Sequence, residues 1–130
     1  MIFAVIDTNV LVSGLMTKRG HTWDIIAAVF SGDIGLCYDS RILEEYSGVL
    51  RRAKFAITKN DYDALINYIK SDCYETDAPP VSVPFADKSD KKFYEVAKAF
   101  NCKIITGNLK HFPADGTAVS PADFCKNFLY

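Results

Sequence analysis

The sequence predicts an α/β fold, a three-layer α/β/α domain around a central, mostly parallel sheet of four to five strands. Residues 1–6 are apolar and stop abruptly at Asp7, as a strand buried on both faces does. Two further short apolar runs, at 34–38 and 103–106, are separated from it by segments whose apolar residues recur at helical spacing. Strands alternating with helices imply a parallel sheet joined by right-handed crossovers.

After the first strand, Trp23, Ile26, Ala27 and Phe30 keep a helical period, and Ser31-Gly32 supplies the stop. Ile34–Tyr38 reads as the second strand. A helix at 41–53 then presents a stripe of Ile42, Leu43, Tyr46, Val49 and Leu50. Thr58, with Asp61 three residues on, resembles a capping box opening a helix striped by Tyr62, Leu65, Ile66 and Ile69. These two helices are expected to cover one flank. Pro79, Pro80 and Pro84 exclude regular helix from 78–84, the one linker-like stretch. Helix returns at 89–100, with Phe93, Val96, Ala97 and Phe100 toward the core. Residues 103–106 form the third clear strand and 117–119 a last short one, and Pro121 stands where a final helix takes its first turn. No repeat or low-complexity segment divides the chain, which reads as a single domain over 1–130.

With 49% apolar and 24% charged residues, the 130-residue chain has an ordinary globular composition and enough length for one core. No apolar stretch nears the roughly 20 residues that cross a bilayer. Residues 1–6 carry neither the basic region nor the cleavage site of a secretory signal, so a cytoplasmic protein without membrane contact is expected. A net charge of -1 excludes the strongly basic footprint of a protein that holds nucleic acid mainly by Lys and Arg. It leaves room for a nucleic-acid enzyme whose bound cations supply positive charge locally. Cys37, Cys73, Cys102 and Cys125 form no C-x-x-C pair, which excludes a zinc knuckle or redox motif, and they read as small buried hydrophobes.

The acids carry the chemistry. Asp7 ends the first strand, so it lies at the carboxyl edge of the sheet, where open α/β folds bind ligands. Asn108 follows the third strand and reaches the same edge if both strands are parallel. The helix with Glu44 and Glu45 leaves the second strand directly and starts near that edge too. At 100° per residue its apolar stripe centres roughly 100° from Glu45 and roughly 160° from Glu44. Glu44 therefore points to solvent, while Glu45 borders the buried face and is the better candidate. Asp87 and Asp90 flank the start of the helix at 89–100; capping and the helix dipole alone would favour acids there. Carboxylates converging on one sheet edge repel one another and are tolerated when a cation neutralises them. The donors are hard oxygens with no His or Cys among them, which selects Mg²⁺ or Mn²⁺ over Zn²⁺.

Four stretches, in order, resemble the motifs of the PIN domain family, a metal-dependent nuclease fold common among ribonucleases of bacterial toxin–antitoxin systems. Val5-Ile6-Asp7-Thr8-Asn9-Val10-Leu11-Val12-Ser13 is similar to the family's opening. Ile42-Leu43-Glu44-Glu45-Tyr46 resembles the second acidic motif, and Asp90 with Ala97 seven residues on resembles the third. Ile104-Ile105-Thr106-Gly107-Asn108 resembles the fourth, and Leu109-Lys110-His111-Phe112-Pro113 resembles a variant in one branch of toxin components. The resemblance implies that Asp7, Glu45 and Asp90 coordinate the metal, and that Asn108 stands where many members have a fourth Asp. A neutral amide binds a cation less well than a carboxylate, which leaves open one ion or two, with Asp87 as a compensating ligand. It also implies that Asn9 supports the site from behind and that Thr8, Ser13 and Thr106 are supporting hydroxyls, although each also reads as a turn or cap residue.

The implied activity is an Mg²⁺/Mn²⁺-dependent endoribonuclease acting on single-stranded RNA, with Lys88, Lys91, Lys92, Arg51, Arg52 and Lys54 as candidate phosphate contacts. His111 reads as a structural or substrate-orienting group. The family further implies a homodimer and a small cognate antitoxin, for which Trp23, Tyr68, Tyr74, Phe128 and Tyr130 are candidate exposed aromatics. Two other readings stay open. One is a catalytically weakened PIN-like domain that binds RNA or protein. The other is a phosphoacceptor, which Asn9 argues against, because such phosphatases place a second Asp two residues after the first.

Overall fold

The computed structural model describes all residues, 1–130. Its centre is a five-stranded, wholly parallel sheet of order β3-β2-β1-β4-β5, made of β1 (Ile2–Ile6), β2 (Ile34–Tyr38), β3 (Tyr74–Glu75), β4 (Lys103–Ile105) and β5 (Ala118–Val119). β1 is central, pairing Ala4 with Leu36 on one side and Lys103 on the other. Ala4, Val5 and Ile6 are fully buried, as a strand covered on both faces requires. Six helices flank the sheet: α1 (Thr8–Thr17), α2 (Gly20–Ser31), α3 (Ser40–Leu50), α4 (Lys59–Asp72), α5 (Lys91–Phe100) and α6 (Pro121–Phe124). The α/β class and three-layer architecture are as the sequence predicts. No helix is long and apolar enough to cross a membrane.

The periodicity missed α1. Val10, Leu11, Val12, Gly14 and Leu15 are all buried, and the outward stripe is narrow, Asn9, half-buried Ser13, Met16 and Thr17, with a methionine in it, so the period is weakly marked. A side chain at Gly14 would stand 2.5 Å from Ile26 Cδ1 and 2.8 Å from the Thr22 carbonyl oxygen, which is why α1 and α2 cross so closely there. The buried face of α2 is Ile25, Ile26, Ala28 and Val29; Ala27 and Phe30 are exposed, against expectation, because α2 packs on α1 as well as on β2. β3, only two residues at the sheet edge, carried too little pattern to read.

α3 ends at Leu50 rather than 53, because Arg52 turns extended and a 3₁₀ turn follows at Ala53–Phe55. Its buried stripe is Ile42, Tyr46 and Leu50, flanked by half-buried Leu43 and Val49, and the Asp39 carboxylate caps it by accepting from the Ile42 amide at 3.0 Å. α4 begins as predicted, with Thr58 accepting from the Asp61 amide at 3.1 Å. α5 begins at Lys91, two residues later than expected, since Asp87 caps a separate 3₁₀ turn at Lys88–Asp90. The third strand stops at Ile105, freeing Thr106 for the site. Pro121 opens α6 behind a Ser120 cap. All four cysteines are free thiols, Cys37 and Cys125 buried, Cys73 and Cys102 half-buried.

Residues 78–84 carry no helix or strand, as expected. One buried side chain, Glu95 on α5, anchors that stretch: it accepts from the Val81 amide and from Arg41 Nη1, each at 2.8 Å. Glu95→Ala is expected to cost about 2–3 kcal/mol in urea denaturation, the range for hydrogen bonds to a buried charge. A loss under about 0.5 kcal/mol, the noise of surface substitutions, would show the stretch to be held elsewhere.

Candidate active site

The parallel register brings the carboxyl ends of β1 and β4 side by side, and the site forms there. A cleft of about 350 Å³ is lined by Asp7, Thr8, Asn9, Glu45, Val49, Arg52, Lys54, Phe55, Asp87, Ser89, Asp90, Asn108 and His111. Its three principal acids come from three distant segments: the end of β1, the middle of α3 and the start of α5.

Asp7 is 6% exposed and begins α1, yet its side chain makes no capping hydrogen bond. Its Oδ2 instead accepts from Thr106 Oγ1 at 2.7 Å. The same Thr106 oxygen accepts from the Asn108 amide at 2.9 Å, which aims the hydroxyl proton at Asp7. Burial pushes the Asp7 carboxyl above its ordinary value; the Thr106 bond opposes this and the Glu45 charge adds to it.

Glu45 is half-buried and Glu44 exposed, as the helical geometry predicts. Glu45 Oε2 accepts from Thr8 Oγ1, and Oε1 lies 2.8 Å from Lys92 Nζ. Its neighbour Tyr46 is fully buried and donates to the Ile6 carbonyl. That bond ties the residue after Glu45 to the residue before Asp7, so it sets the spacing of the two acids. Sequence reasoning placed Tyr46 only in the apolar stripe. The signal was available, since a buried tyrosine hydroxyl needs a partner.

Asp90 and Asp87 part company. Asp87 is exposed, and its Oδ1 accepts from the Ser89 amide at 2.9 Å and Ser89 Oγ at 2.7 Å, bonds that hold it below the usual carboxylate range. It is engaged as a cap. Asp90 makes no cap bond, is half-buried and is pushed up, first by burial and then by the Asp87 charge, with Asp7 adding to it. Its Oδ2 lies 3.3 Å from His111 Nδ1, a contact the sequence did not suggest.

The remaining candidates are dispersed. Asn108 and Asn9 line the cleft, but Asn9 is exposed on its wall, whereas the resemblance placed it behind the site. Ser13 lies outside, accepting from Thr22 Oγ1 at 3.3 Å in a groove between α1 and α6; five residues beyond Thr8, α1 has carried it away. Arg52 and Lys54 line the cleft and enter no ion pair, whereas Arg51 bonds the Ser47 carbonyl and stacks over the Tyr62 ring, 5.6 Å from its centroid. Lys88 and Lys91 do not reach the cleft. Lys92 lies in an adjoining groove with Arg41, Glu44, Glu45, Gly48, Val49 and Arg52.

No three acid, His or Cys side chains close into a preformed metal cage. The donor set nevertheless fits a hard divalent cation: carboxylate and amide oxygens on one cleft, with Asp7 and Asp90 both disfavoured as anions by burial and by neighbouring acids.

An acidic cleft at the carboxyl edge of a parallel sheet is where open α/β domains bind their ligands. The chain belongs to the PIN domain family, whose model matches residues 4–110, from β1 through the turn after β4. No curated protein matches the chain significantly.

Proposed function

We propose that this single PIN domain, residues 1–130, is an Mg²⁺- or Mn²⁺-dependent endoribonuclease that hydrolyses phosphodiester bonds of single-stranded RNA. The observation that carries the reading is the meeting of Asp7, Glu45 and Asp90 in one cleft with two unpaired cations, Arg52 and Lys54. Asp7, Glu45 and Asp90 would hold the ion, Asn108 offering a neutral oxygen beside them. When bound, a divalent ion there polarises the phosphodiester and lowers the pKa of water. Thr106 and Thr8 fix the orientations of Asp7 and Glu45. Arg52 and Lys54 bind phosphate, Val49 and Phe55 wall the cleft, and His111 steadies Asp90. A toxin role, with a small cognate antitoxin and a homodimer, follows from the family resemblance alone.

The test is cleavage of a single-stranded RNA in Mg²⁺ and Mn²⁺ against an EDTA control, with Asp7→Asn prepared in parallel. Undiminished cleavage by that variant would overturn the site. Asn108 and the open arrangement of the acids favour a second reading, a PIN-like domain that binds RNA without cutting it. Mn²⁺-insensitive RNA binding with no cleavage would establish that instead. The two neighbouring arginines separate as well: Arg52→Ala is expected to weaken RNA binding about fivefold or more, by the loss of one phosphate contact, and Arg51→Ala to leave it unchanged. Equal losses in a filter-binding titration would refute the distinction.

A further inference from the structure

We infer that Lys92 stands in for a second metal ion at Glu45, so that the cleft takes one divalent ion rather than two; this rests on the metal-dependent reading above. The Lys92 side chain is 12% exposed, against 46% for Lys98 and 87% for Lys59. α5 places it in the first turn, two residues past Asp90, where Nζ pairs with Glu45 Oε1 at 2.8 Å, donates to the Ser89 carbonyl and stands 5.0 Å from the Phe93 ring centroid. Withdrawing a lysine this far from water sacrifices hydration and side-chain freedom. A solvated surface charge has no need of that.

Charge decides the count. Three carboxylates enter the balance, because Asp87 holds Ser89 through Oδ1 as a cap, Asn108 is neutral, and the charges of Arg52 and Lys54 are met by substrate phosphate. One divalent ion and Lys92 together balance Asp7, Glu45 and Asp90. The first ion can use the remaining lone pair of Glu45 Oε2, beside the Thr8 bond, whereas a second would leave these groups with an excess of positive charge and would need Oε1, which Lys92 occupies. Lys92 also shares its groove with Arg52, and Arg52 lines the main cleft as well. A phosphate held by Arg52 therefore meets the Lys92 ammonium at the boundary of the two. Lys92 thus sets a fixed positive charge beside Glu45, at the edge of the phosphate path, in place of a second ion.

Calorimetric titration with Mn²⁺ tests this, with binding of a non-cleavable 2′-O-methyl RNA oligonucleotide measured against salt. The wild type is expected to take up one Mn²⁺. Lys92→Met should bind Mn²⁺ about tenfold more tightly, since a like charge a few ångströms away is removed. Its salt slope for the oligonucleotide should fall by about 0.7, the value of one phosphate contact on a single strand. Lys92→Arg, which keeps the charge, should retain both wild-type values. Two Mn²⁺ of similar affinity in the wild type would overturn the inference and leave the metal-dependent reading standing. So would a Lys92→Met variant unchanged in both Mn²⁺ affinity and salt slope. No Mn²⁺ uptake at millimolar concentration would overturn inference and reading together.

Discussion

Asp7→Asn is expected to abolish RNA cleavage and at the same time raise the melting temperature of the protein in EDTA. The cleavage loss should be at least about a hundredfold, the size found when a group that stabilises developing charge is removed. The gain in stability follows from the position of Asp7 in the fold. Burial and the Glu45 charge raise its carboxyl above the unfolded value, against the Thr106 bond. A carboxylate raised on folding costs its full penalty above the folded pKa; the cost shrinks as pH falls below that value and is gone below the unfolded one, where both states are protonated. Asparagine keeps an oxygen for Thr106 and carries no charge. The difference in Tm between Asp7→Asn and wild type should therefore be largest at neutral pH and shrink through the carboxylate range. Each 1 kcal/mol recovered moves Tm by about 3–6 °C in a chain of this size. A variant less stable than wild type in EDTA at neutral pH would show that Asp7 supports the fold rather than straining it.

Mn²⁺ is expected to reverse that order. An ion that binds only the folded chain stabilises it by about 2.7 kcal/mol at a hundred times its Kd, or roughly 10 °C. Protons and the cation compete for Asp7 and Asp90, both raised above the ordinary value first by burial. The Mn²⁺ increment should thus fade as pH falls from neutral toward the carboxylate range, while Asp7→Asn shows little increment at any pH. Thermal melts with and without Mn²⁺ across that range measure it. Equal increments in wild type and variant would remove Asp7 from the ligand set.

Much of this architecture was legible because its signals are local. The ramp into Asp7, the stripe of α3 and the Thr58 cap each sit within a few residues. The border position of Glu45 followed from the stripe alone. What escaped was set by tertiary packing. α1 leaves only a narrow outward stripe and so marks its period weakly, and the buried face of α2 is rotated because two neighbours share it. Around the site, the sequence offered six basic candidates alike. Only the folded chain separates Arg52 and Lys54, which line the cleft, from Arg51, which is spent on its own helix and Tyr62. Asp87 and Asp90 were equivalent as acids at a helix start, and the Ser89 bonds distinguish them. Contacts such as Tyr46 to Ile6 or Thr106 to Asp7 span 40 and 99 residues, and no pattern in a short window encodes them.

The placing of β1 at the middle of the sheet has a consequence for synthesis. The strand bearing the first acid is made first, yet one of its two neighbours in the sheet, β4, is made about a hundred residues later. Contacts of such long sequence separation form late and slowly in folding. Until Thr106 has emerged, Asp7 lacks its orienting hydroxyl, and until Asp90 has emerged the cleft lacks its third acid. A nascent chain that has not yet reached β4 therefore contains no assembled cleft.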